Sequence, residues 1–188
     1  MVKIEKLYGL RRLINSAIFC FLTAGSLYAA TGGKDSITEW REWISPQQDY
    51  LDKVESLMQR GNEIEMQQTA DLQDAINKKD QYLGDNIIIQ NTGKLSAIVD
   101  ALKALTPPKE FNEYHEKIIV AFQFTQMANE ATSKKDAVTI KDCGNKAMAS
   151  EIEALESIKK LYSSHGAPLQ IIDSIDRGIA SYKQKLAL

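Results

Sequence analysis

Pro108 to Ala131 reads PKEFNEYHEKIIVAFQFTQMANEA. Within it Phe111, Tyr114, Ile118, Ala121 and Thr125 recur at spacings of three and four, the period of a helix with one face turned inward. Ile119, Val120, Phe122, Phe124 and Met127 spread apolar character round the rest of the cylinder. A helix that is hydrophobic all round is either buried on several sides or holds a surface ready for a partner. This one is therefore expected to be the central helix or the binding helix, with Val120, Phe124 and Met127 as the surface it presents. In front of it, Thr106-Pro107-Pro108 ends the preceding helix, because the residue before a proline is pushed out of the helical region.

Working upstream, Ile88, Leu95, Ile98, Val99, Leu102 and Leu105 form the stripe of the preceding helix, with Gly84 and Asp85 as a stop and a new cap. Before that, Leu51, Val54, Met58, Gly61, Gln68, Leu72 and Ala75 keep spacings of three, four or seven. The middle of that segment, Gly61 to Thr69, is unusually polar for a core stripe and is expected to kink or to loosen the packing. Ser45, Pro46 and Gln48 are expected to start it, and Ser36 with Glu39 to open a short leading helix carrying Ile37, Trp40 and Ile44 on one face.

Downstream, Asp136 is expected to cap a helix whose Ile140, Gly144, Met148, Ile152, Leu155, Ile158 and Tyr162 form the inner stripe. Ser163 to Gly166 close it, and Pro168 opens a last helix with Ile172, Ile175, Ile179, Tyr182 and Leu186 in a heptad seam. No stretch alternates convincingly enough to be a strand, and no internal repeat or second domain is evident. The expected fold class is all-α: an up-and-down antiparallel helical bundle of four main helices plus a short N-terminal helix. It would occupy residues 31–188.

Residues 1–30 have a different character. Lys3, Lys6, Arg11 and Arg12 precede an uncharged run from Leu13 to Ala30 that ends in small residues, the pattern of a secretory signal peptide. An uncleaved anchor is the alternative, because the third position before the cut would be Leu27 or Tyr28. Cys20 follows Phe19, which excludes it as a lipid-attachment site. The leader holds four basic residues and one acidic, which leaves 19 basic and 24 acidic residues and a net charge of −5. Such a balance disfavours nucleic acid and anionic membrane surfaces as partners. Contact with a membrane is expected only through an uncleaved N-terminal segment. Cys143 would be the only thiol left, so it could form a disulfide only with another chain.

The chain is poor in recognisable chemistry. Its 188 residues contain two cysteines and two histidines, too few for a zinc finger or a disulfide framework. The CxxCH haem-attachment pattern is missing, as are HExxH, GxSxG and a Gly-rich phosphate loop. Asn112 and Tyr162 stand three residues before His115 and His165 where a di-iron bundle needs glutamate. Glu110, Glu113 and Glu116 read as a solvated helix face. No enzyme activity and no cofactor are expected.

The expected role is that of an exported binding or structural protein of the cell envelope, periplasmic or extracellular, acting through a protein partner or through self-association. Trp40 and Trp43 are read either as a packing plug at the end of the bundle or, on a short helix outside it, as a docking edge. The alternative function is a bundle that binds non-covalent haem or a small ligand through His115 or His165.

Overall fold

A computed structural model describes residues 34–187. The leader assigned to residues 1–30 lies outside the described residues. Helices α1 (Lys34–Ile44), α2 (Gln48–Asn77), α3 (Gln81–Ala104), α4 (Asn112–Ser133), α5 (Ala137–Ser164) and α6 (Leu169–Leu186) follow one another, with short 3₁₀ turns at Ser45–Gln47 and Lys109–Phe111. The described chain is all-helical and has no strand. It forms a helical bundle in which successive long helices pack on each other.

Five long helices stand in place of the expected four, one for each of the five apolar stripes in the sequence. The chain turns at Lys78-Lys79-Asp80, three residues without glycine or proline, and Gly84 lies inside α3. Lys79 adopts φ 54° to make the turn, and the Asp80 carboxylate accepts a 2.9 Å hydrogen bond from the Leu83 amide. Asp80, not Asp85, is therefore the cap. Two other expected starts are also corrected. Helix α1 is already under way at Lys34, so Ser36 does not open it. No side-chain cap precedes α2, because Ser45–Gln47 carries the chain from α1 to α2 with helical backbone angles at both junctions. The Asp136 cap is present, accepting from the Thr139 amide at 3.1 Å and its hydroxyl at 2.6 Å.

Side-chain pairs fix the directions of the helices. The Lys117–Glu153 ion pair and Lys146 over the Phe124 ring hold α4 and α5 side by side in opposite senses. Lys159–Asp176 and Lys183–Glu156 do the same for α5 and α6. Helices α2 and α4 face each other in the same sense, through Tyr50 with His115, Gln68 with Asn129, and Gly61 under Phe122. Helices α4 and α5 meet through small buried residues, Ala121, Ala128 and Ala131 on one and Gly144, Ala147 and Ala154 on the other. Small side chains let two helix axes approach closely, which accounts for the intimacy of this pair.

Apolar residues from all six helices build one core, among them Trp40, Val54, Leu95, Leu102, Phe111, Ile118, Ile152, Ile158 and Ile179. Gly61 has a specific part in it. A Cβ at this position would overlap the ring of Phe122, itself only 5% exposed. Gly61→Ala is therefore expected to destabilise the fold by about 1–3 kcal/mol through overpacking, although alanine favours a helix by about 1 kcal/mol over glycine. Urea unfolding followed by circular dichroism checks this. A stabilised variant would show that the ring moves aside freely.

Candidate functional site

The two ends of the bundle differ in kind. One end is sealed by aromatic rings. Trp40, 1% exposed, meets Trp43 at 5.1 Å and the edge of Tyr162 at 4.8 Å between centroids. Trp43 lies between Phe111 (5.9 Å, 14° between planes) and His165 (3.9 Å, 9°). Its indole N–H donates to Glu110 Oε2 at 3.0 Å, and Glu110 Oε1 stands 3.7 Å from His165 Nε2. A short helix, a 3₁₀ turn and the C-terminus of α5 are thus joined by stacking and one carboxylate.

His115 is buried one layer deeper. Its Nδ1 is 3.1 Å from the Tyr50 hydroxyl, and the ring also hydrogen-bonds the Leu102 carbonyl. A carbonyl can only accept, so the ring donates there, and the Tyr50 hydroxyl is placed to supply its proton to a neutral imidazole. Burial pushes the His115 pKa down, which favours that neutral form. The imidazole is thus committed to hydrogen bonds within the core.

The other sequence-chosen residues are scattered. Val120 and Phe124 are half-buried, with Lys146 of α5 over the Phe124 ring, and Met127 is 47% exposed. Helix α4 is thus neither apolar on every side nor enclosed on every side. Trp40 has no face left for a partner, whereas Trp43 keeps a partly exposed one. Cys143 is 2% exposed, and burial raises its pKa, with the Asp142 charge adding to the effect. Its thiol faces the bundle interior, so a disulfide to another chain would require α5 to move.

A polar seam crosses the middle of the bundle. Asn62, Glu65 and Gln68 on α2 are buried with Asn91 on α3 and Asn129 on α4. The polar stretch that the sequence suggested as a loosening is part of an unbroken 30-residue helix. Asn129 Nδ2 donates to Gln68 Oε1 at 3.4 Å, while Asn62 Oδ1 and Gln68 Nε2 have no hydrogen-bond partner among the described residues.

The opposite end is open. Lys78-Lys79-Asp80 and Lys134-Lys135-Asp136 are the same triplet, 56 positions apart, and they fold alike. Lys79 and Lys135 have φ 54° and 57°. The Asp80 amide donates to the Ala75 carbonyl at 2.9 Å, and that of Asp136 to Ala131 at 3.0 Å. Both are the helix-ending turn in which an amide reaches back over a left-handed residue. Between the turns lies a cleft of about 320 Å³ with Leu72, Ala75, Ile76 and Ile88 in its lining and Lys79 and Lys135 at its edge. Two residues beyond each capping aspartate, Tyr82 and Val138 are 79% and 80% exposed. The cleft lies far from the imidazoles: Thr132, in its wall, is about 25 Å along α4 from His115 at 1.5 Å per residue.

The sequence reading missed this end. The repeated Lys-Lys-Asp triplet was its visible signal, but only the second copy was read as a helix start. Comparisons with protein-family models, curated proteins and solved structures return no match. The described residues contain no group of three or more His, Cys, Asp or Glu side chains suited to a metal ion. No helix among them is long and apolar enough to cross a membrane.

Proposed function

We propose that this chain is an exported binding protein of the cell envelope. In this reading it is an up-and-down antiparallel bundle that acts through contacts with a protein partner and performs no chemistry of its own. Export rests on the charge and hydrophobicity pattern of residues 1–30. The observation that carries the binding role is the contrast between the ends. Aromatic rings seal one, while the other leaves an apolar cleft open between two matched turns with Tyr82 and Val138 beside them. A large aromatic and an apolar side chain left in water next to a concave surface are what a partner can bury. Met127 extends the accessible apolar surface along α4, six residues before the end of that helix.

The test uses the full-length protein, expressed with its leader and recovered from the envelope with whatever it holds. A partner retained by the wild type and lost by the Tyr82→Ser/Val138→Ser double variant, with the helical content of both unchanged, is the expected result. A partner retained equally by both would remove the turn end from the reading. The haem alternative is tested on the same sample by its visible spectrum. A Soret band would replace the binding reading with a haem-carrying one.

A further inference from the structure

Helix α6 is the shortest of the five long helices, at 18 residues, and its principal neighbour is α5, which has 28. It is fastened by Ile175, Ile179 and Tyr182, and by the exposed pairs Lys159–Asp176 at 2.6 Å and Lys183–Glu156 at 2.9 Å. Exposed pairs of this kind add little. Where α6 ends, it meets Glu151 of α5. The Tyr182 hydroxyl donates to the Glu151 carboxyl, and the charges of Lys185 on α6 and Glu65 on α2 both act on it. Glu151 Oε2 is fully enclosed and has no hydrogen-bond partner among the described residues. Burial is the largest influence on this group and pushes its pKa up to about 8, with the Glu65 charge acting the same way and Tyr182 and Lys185 against it. Burial also lowers the pKa of Lys185.

A carboxyl enclosed in this way is tolerated while it is neutral. Without its proton it leaves a charge shut in beside Glu65, and the smallest movement that hydrates it is displacement of the last turns of α6. We propose that Glu151 is a proton-operated latch: the C-terminal turns of α6 stay docked on α5 while the carboxyl is protonated and lift away when it ionises. Lifting exposes Tyr182 and Ile179, which are 2% and 7% exposed while α6 is docked. It therefore offers an apolar surface that is closed at neutral pH. This device is independent of whether the turn end binds a partner.

Hydrogen exchange of the full-length protein between about pH 5 and 9.5, corrected for intrinsic rates, tests the latch. Protection of the amides of residues 178–186 is expected to fall by up to about tenfold per unit as pH rises toward 8, where opening releases one proton, and to level off above 8, where the carboxyl is ionised in both states. Glu151→Gln imitates the protonated acid and should keep these amides protected throughout. Glu65→Gln removes a charge that raises the docked pKa of Glu151, so the ionised carboxyl is better tolerated in place; the profile should level off at lower pH and lose less protection in total. Glu153→Gln, on the same helix but exposed, should follow the wild type. A flat wild-type profile, or a Glu151→Gln profile that falls like the wild type, overturns the proposal. Should Glu151→Gln fail to fold, a Glu65→Gln profile identical to the wild type overturns it equally.

Discussion

Replacing Trp40 with alanine is expected to lower the unfolding free energy by about 3–5 kcal/mol, the range for deleting a buried large aromatic side chain. The indole is 1% exposed and touches both Trp43 and Tyr162, so its removal leaves a cavity lined by rings that cannot all collapse inward. One detail sets the outcome of a second substitution. The Trp40 indole N–H is buried without a hydrogen-bond partner among the described residues, and such a group costs about 1–3 kcal/mol. Trp40→Phe removes that orphan donor while keeping most of the apolar contact, so it should lose much less than the alanine variant. Trp43, whose indole bonds to Glu110 and is partly exposed, lacks this compensation. Urea midpoints at an unchanged denaturant slope measure all three. A Trp40→Ala loss below about 1 kcal/mol would mean that the aromatic end is not part of the cooperative core.

The second large effect is a dependence of stability on pH with an unusual sign. Glu151 has a pKa near 8 in the fold against its ordinary 4.5. Between those values the folded chain holds a proton that the unfolded chain has released, so stability falls as pH rises, by up to about 1.4 kcal/mol per unit. His115 acts in the opposite direction. Its pKa is lowered from 6.5 by burial, so below 6.5 the unfolded chain binds the extra proton and stability falls as pH drops. The two slopes oppose each other in the acid range, and Glu151 acts alone between pH 6.5 and 8. Over that interval a loss of roughly 2 kcal/mol is expected. Glu151→Gln should flatten it, and His115→Phe should leave it in place while removing the acid-side loss. A wild type whose stability is constant from pH 6.5 to 8 would contradict the burial of a neutral acid at this site.

The apolar spacing of the chain carries most of its architecture. In the seam Ile172, Ile175, Ile179, Tyr182 and Leu186 the middle three are buried and the two ends half-buried, and in the stripe Ile88, Leu95, Ile98, Val99, Leu102 and Leu105 all but Leu105 are buried. The turn at Lys79 is a different matter. A left-handed residue is ordinarily signalled by glycine, and lysine gives no such sign, so the sequence points to a helix stop at Gly84, a few residues beyond the turn that the fold makes. The capping aspartate was recognisable at Asp136 because a loose, polar stretch precedes it, whereas Asp80 is followed by Asp85, which offers a rival cap.

The site was less legible than the fold, for reasons of distance along the chain. Tyr50 and His115 are 65 residues apart, and Trp43 and Glu110 are 67 apart. Spacing within a helix reveals neither partnership. Gln68 falls on the inner stripe and is buried as its spacing requires, but the polar character of Gly61 to Thr69 suggested a kink or loosening, whereas Asn62, Glu65 and Gln68 are buried with polar residues of other helices. Glu151 sits amid the charged background of its helix, and only the end of α6, more than 30 positions further on, encloses it. Trp40 and Trp43 were read as a pair with one role, but the fold separates them into a core residue and a partly exposed lid.

The most direct test of the binding role is hydrogen exchange on the partner complex recovered from the envelope, compared with the free protein. The account predicts new protection in residues 76–85 and 132–141, around the two Lys-Lys-Asp turns, with none at residues 40–43 and 162–166. Protection confined to the aromatic end, with the turns unchanged, would contradict it.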